Sequence, residues 1–314
     1  MAFWAIVSDT IREIRAKKLF WATLMLSATC IAGLACISFD EQGMKILWHR
    51  IPGFSLSTSD PLFASSISTF VLSPFLIGMY VGKLGTILGL VATVGIFPRM
   101  MERGSIDCIL ARPISRWKLF FAKYVGGLMF MVIQASFFVV GSFLVVGIRW
   151  QVWLPGYLWS ILLLVVLFSY LYCVSVAFSI WTRSAMASLL LTLAFWFLIA
   201  SLQGTRDLFE YYTEADQFKP AKKALRIAAR LTPQTGEITI MADRLMDPTD
   251  PTRHVDSAFF VARTPQLSTG ERQRALEHQK AAKFGSWFSS IGSSLLFEAV
   301  VLLLAGWRFS RKDF

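Results

Sequence analysis

Apolar and polar positions alternate along this chain in long blocks rather than in short periods. Six apolar runs reach the roughly 20 residues that carry a helix across a bilayer. They cover about 19–38, 76–97, 119–148, 157–181, 184–203 and 286–307. The second is the least regular, because Lys83 interrupts it and apolar character already begins near Phe63 or Ile67. Residues 1–18 behave differently. Phe3, Trp4, Ile6, Val7, Ile11 and Ile14 recur near helical spacing, with Asp9, Arg12, Glu13, Arg15, Lys17 and Lys18 between them. That pattern predicts an amphipathic helix lying along the membrane surface before the chain enters it. The expected fold is therefore an all-α polytopic membrane protein: an interfacial helix (1–18), spans one to five with an intervening polar loop (19–203), a large extracytoplasmic insertion (204–285), and a last span with its tail (286–314).

Composition agrees with the blocks. Charged residues make up 16% of the chain, against about 25% in an average soluble domain. Eleven Trp and 27 Phe suit aromatic belts at the membrane interfaces. Charge placement gives an orientation. With the N-terminus inside, the inner segments hold fourteen basic residues and the short outer loops hold three, Lys45, Arg50 and Arg149. Positive charge stays inside, so both termini are expected in the cytoplasm and the chain in the inner membrane. The 204–285 segment is too long to vote, and with 13 basic and 11 acidic residues it is nearly neutral. Within it, Lys222 to Leu231 reads as an amphipathic helix, and Ser268 with Glu271 as a capping box. The basic residues flank spans, so the bilayer is the expected partner and nucleic acid is not.

Several chemistries are weak in this sequence. Cys30, Cys36, Cys108 and Cys173 have no paired spacing, which argues against a disulfide framework or zinc site. Asp243, Asp247, Asp250, His254 and Asp256 match no metal loop and read as solvated charge. "GMYVGKLG" imitates a phosphate loop, but only three residues separate Gly78 and Gly82, and Leu84 follows Lys83. No nucleotide, metal or other cofactor is expected, and no enzymatic activity of the chain's own. The same glycines have another use. Gly78, Gly82, Gly85 and Gly89 form a small-residue stripe for close helix packing, within this subunit or against a second copy. Two charges lie deep in spans, Lys83 and Glu298. Three readings are open for Glu298: a pair with Lys83, a role on a cargo path, or a watery position.

Between the second and third runs the chain carries "ERGSIDCILARPISRWKLFFAKYVGG", residues 102–127. Gly104 breaks a preceding helix and Ser105 caps a new one. Ile106, Ile109 and Leu110 share one face over about two turns. Arg112 precedes Pro113, which ends that helix, and Ser115 caps the next. A helix this short cannot bury its own apolar face.

Here the chain resembles the type-2 ATP-binding-cassette exporter permeases. Glu102-Arg103-Gly104-Ser105-Ile106, then Leu110-Ala111-Arg112-Pro113-Ile114-Ser115-Arg116, then Lys123-Tyr124-Val125-Gly126-Gly127 is similar to that family's hallmark loop. The ending "WRFSRKDF" is similar to a tail many members carry. The resemblance implies that the loop (98–118) holds a coupling helix docking on a separate ATPase subunit, through Glu102, Arg103, Gly104, Ser105, Ile106, Ile109, Leu110, Arg112, Pro113 and Arg116. It also implies a second permease, identical or homologous, as partner. Two alternatives remain at this point. One is a membrane subunit passing ATPase motion to an extracytoplasmic partner without transport. The other is an ion-coupled secondary transporter, against which stand the missing internal repeat and the single mid-membrane carboxylate.

Overall fold

The computed structural model describes residues 2–16, 18–40, 43–46, 49–50, 83–102, 115–151, 153–212, 232–233 and 287–311. The helices are α1 (Ala2–Arg15), α2 (Lys18–Ala35), α3 (Gly85–Thr93), α4 (Ile96–Met100), α5 (Arg116–Trp150), α6 (Ser160–Thr182), α7 (Ala185–Tyr212) and α8 (Trp287–Ser310). Five stretches among the described residues are long and apolar enough to cross a membrane: Lys18–Ala35, Arg116–Trp150, Pro155–Thr182, Ala185–Thr205 and Ile291–Ser310. They match five of the six expected runs.

The second run is described only from Lys83. From Lys83 onward it is a shorter apolar helix, Gly85–Met100, broken at Val94–Gly95. The cause is local. Pro98 has no amide hydrogen to offer Val94, and its ring crowds that carbonyl. The start of the run, with Gly78 and Gly82, lies outside the described residues.

The chain is mostly helical, as expected of an all-α membrane protein, with one small sheet besides. Strands β1 (Ile37–Asp40), β2 (Gly43–Ile46) and β3 (His49–Arg50) form an antiparallel sheet in that order, with Ile37 opposite Ile46 and Lys45 opposite Arg50. The signal was present as strict alternation in I-S-F-D and G-M-K-I. The Trp150 indole donates to the Ile37 carbonyl at 2.9 Å, so the sheet is pinned to the end of α5.

Helix α5 is the axis of the molecule. At 35 residues it is about 52 Å long, well beyond a hydrocarbon core of about 30 Å. It packs against α1, α2, α3, α4, α6 and α8, while α7 packs on α6. Toward the end of α5 that follows the 103–114 segment, the core holds Ile14, Phe97, Met100, Leu119, Phe120 and Phe309. Toward the other end it holds Leu34, Phe138, Val139, Val146, Trp150 and Tyr157.

The N-terminal helix differs in what it faces. Val7, Thr10 and Ile14 are buried, and the surface they meet is α5. Trp4 stays exposed. Part of the amphipathic stripe, Val7 and Ile14, is thus covered by protein. At the other extreme of the bundle, α7 runs to Tyr212, past the expected limit at 203. Gln203 there donates to the Pro233 carbonyl at 2.9 Å. The remaining expectations for 204–285, including the 222–231 helix and the Ser268 capping box, fall outside the described residues.

Candidate functional site

The polar insert hangs from two helix ends. Helix α4 stops at Met100, and Glu102 lies exposed in the bend that follows. Helix α5 begins after Ser115, which has an extended backbone and whose side-chain oxygen accepts the Lys118 amide at 3.4 Å. That is the N-cap expected from the sequence. Arg103, Gly104, Ser105, Ile106, Ile109, Leu110, Arg112 and Pro113 lie outside the described residues.

Both ends enter one aromatic cluster. Phe97 of α4 meets Phe120 of α5 at 5.4 Å between ring centres, and Phe120 meets Phe309 of α8 at 6.1 Å. Trp117 lies over Gly306 of α8 so closely that a Cβ there would overlap the indole. Arg116 donates to the Ser310 carbonyl at 3.1 Å, satisfying one of the acceptors left open at the end of α8. The chain on either side of the insert is therefore fixed to the last span.

One turn further on, "KYVGG" (123–127) divides its work between two faces of α5. Lys123 and Gly126 are three apart and share a face. The Lys123 ammonium, nearly buried, meets the Glu13 carboxylate of α1 at 3.2 Å. Gly126 admits Thr10 of α1, since a Cβ would stand 2.6 Å from the threonine methyl. Tyr124 and Gly127 form the neighbouring face, toward α6 and α8. Gly127 leaves room for the Tyr172 hydroxyl and ring. Tyr172 then stacks between Tyr124 and Phe168, at 5.1 Å from each ring centre.

Tyr124 leads to the buried carboxylate. Its hydroxyl donates to Glu298 Oε1 at 2.7 Å, and the Ser169 hydroxyl donates to Glu298 Oε2 at 3.0 Å. The Tyr124 oxygen is also 3.3 Å from the Ser169 carbonyl. Glu298 is buried, and its ligands come from α5 and α6. The Lys83–Glu298 pair does not form: Lys83 is exposed at the start of α3, and the carboxylate is met by neutral hydroxyls. Counting ionic partners from sequence favoured the lysine. The hydroxyls went unnoticed because Tyr and Ser in apolar helices carry no charge signal.

The glycine stripe is only partly described. Gly85 and Gly89 are buried. A Cβ on Gly89 would stand 2.8 Å from Met131 Sδ and 2.9 Å from the Phe168 ring, so this glycine packs against α5 and α6 of its own chain. Among the described residues, no group of three or more His, Cys, Asp or Glu side chains comes together as a metal site.

No curated protein matches the chain significantly. The model of the ABC-2 family transporter proteins matches residues 4–314, from the N-terminal helix through every span to the tail. The chain belongs to the ABC-2 family: it is a multi-pass membrane permease of an ATP-binding-cassette transporter, a type of subunit that associates with a separate ATPase.

Proposed function

We propose that this permease is the membrane half of an exporter, and that residues 102–118 carry the coupling helix through which an ATPase subunit drives it. The observation that carries this reading is the anchoring of the insert. Its two flanks join one aromatic cluster, and Arg116 ties that cluster to the end of α8. A knob held in this way moves its spans as a rigid body when it is pushed. Both termini and the insert are cytoplasmic in this reading, because the basic residues gather there. A second permease, identical or homologous, completes the pathway.

The decisive experiment truncates the apolar anchor. Ile106, Ile109 and Leu110 changed together to Ala should abolish co-purification of the ATPase while the permease still inserts and purifies. Each anchor side chain is worth roughly 1.5–3 kcal/mol when buried, and such losses are not additive. An ATPase that stays bound with coupled turnover would remove the insert from the contact. Orientation has its own test. In intact cells an impermeant thiol reagent should reach a cysteine introduced at residue 240 and spare Cys108. The opposite labelling would invert the topology.

A further inference from the structure

We propose that Glu298 is a proton-binding site within the membrane: a neutral carboxylic acid that closes a hydrogen-bond ring through Tyr124 and Ser169. Three oxygen contacts join Glu298, Tyr124 and Ser169, and the Ser169 hydroxyl also has the Val166 carbonyl at 2.9 Å. Glu298 Oε1 lies 2.7 Å from the Tyr124 hydroxyl, that hydroxyl lies 3.3 Å from the Ser169 carbonyl, and the Ser169 hydroxyl lies 3.0 Å from Glu298 Oε2. Tyr124 has one proton and two acceptors facing it. If Glu298 carries a proton on Oε1, it donates to the Tyr124 oxygen. Tyr124 then donates to the Ser169 carbonyl, and Ser169 returns a donor to Oε2. Three O–H groups fill the three contacts among Glu298, Tyr124 and Ser169, and the Ser169 proton is turned from the Val166 carbonyl to Oε2. If Glu298 is ionised, Tyr124 must turn its only proton to the carboxylate and leave the carbonyl contact empty.

The surroundings point the same way. Tyr124 of α5 and Tyr170 and Cys173 of α6 face the carboxylate. Tyr172 backs Tyr124, and Ser294 lies one turn away on α8. All are neutral. Helix α7 brings Phe195 against Phe297 and has no titratable residue between 185 and 205. The nearest lysine along α5, Lys123, is engaged by Glu13, and Lys83 is exposed. With no counter-charge against it among the described residues, a buried carboxylate neutralises rather than bears the cost of desolvation. Loading takes one proton from water onto Oε1, while Tyr124 and Ser169 keep theirs and only reorient. This site would make the packing of α5, the helix leaving the insert, depend on a bound proton. It stands whether or not the insert meets an ATPase.

Infrared spectroscopy of the purified permease in lipid at neutral pH tests the proposal. Exposed carboxylates titrate near about pH 4 and contribute no acid carbonyl band there. The expected result is a protonated-carboxyl band that shifts in D2O, is absent from Glu298→Gln, and moves in Tyr124→Phe, where the acid loses its acceptor. Glu298→Gln should fold and melt like the parent, because its amide offers the same donor and acceptor. No acid band in the parent, an unchanged band in Glu298→Gln, an unmoved band in Tyr124→Phe, or a Glu298→Gln protein that fails to fold would each overturn the proposal.

Discussion

Helix α5 meets its neighbours along two adjacent seams that use opposite chemistry. Toward α1, the Lys123–Glu13 ion pair lies at the margin of the bundle, with the glutamate about a third exposed. Toward α6 and α8, Tyr124 and Ser169 hold Glu298 in a buried site with stacked rings behind it. Residues 123–127 serve both seams, so charge sequence alone does not say which is the stronger. Exposure does. The first seam reaches solvent through Glu13, whereas the second is bound by close packing and buried hydrogen bonds.

The comparison can be broken at its strongest point first. Gly127→Ala should cost about 3 kcal/mol, near the upper range for overpacking, because the Tyr172 ring it displaces is held on both faces. Thermal unfolding in lipid-like micelles measures this, and a loss no larger than that of Gly126→Ala would erase the difference between the seams. Tyr124→Phe should cost about 2 kcal/mol, since it leaves the buried Oε1 of Glu298 without its hydrogen-bond partner. Gly126→Ala should cost about 1 kcal/mol, because α1 lies at the edge and can shift away from Thr10. Protease access to the α1–α2 junction should rise in that variant and stay unchanged in Tyr124→Phe. The smallest effect belongs to the ion pair. A double-mutant cycle of Lys123→Met and Glu13→Gln should return about 0.5 kcal/mol, falling as salt rises. A coupling energy as large as the Tyr124→Phe effect, and indifferent to salt, would reverse the ranking.

The plan of the fold was readable because spanning helices announce themselves by length. Five runs appear close to the expected limits, and Ser115 caps α5 as its position before Arg116 suggested. The break at Val94 was also readable, since Pro98 is incompatible with an unbroken helix, but an apolar window averages over a single proline. The sheet at 37–50 was hidden by its size, because four-residue strands lie below the scale of a span search. Lys123 was counted among the inner basic residues and left there. Its burial against α1 depends on which way two helices face, and periodicity in one helix does not contain that. For Glu298, the partners are hydroxyls of its own bundle and not Lys83. Hydroxyls outcompete a distant lysine because they already line the helices that α8 packs against.

The two-residue link between α6 and α7, Arg183 and Ser184, has a consequence for how the protein is made. Arg183 takes the left-handed conformation that closes α6, so α7 turns back directly along it. Two strongly apolar helices joined this tightly leave the translocon as one hairpin. Helix α8 emerges much later, after the long 213–286 stretch, and it is less apolar than that hairpin. A carboxyl group at mid-membrane, even a neutral one, is costly to an inserting helix until its polar atoms find hydrogen-bond partners. Tyr124 and Ser169 are by then already in the bilayer, on helices synthesised earlier. Biogenesis of the last span therefore depends on the first helices being in place, and truncations that remove α5 or α6 should leave α8 stranded outside the membrane.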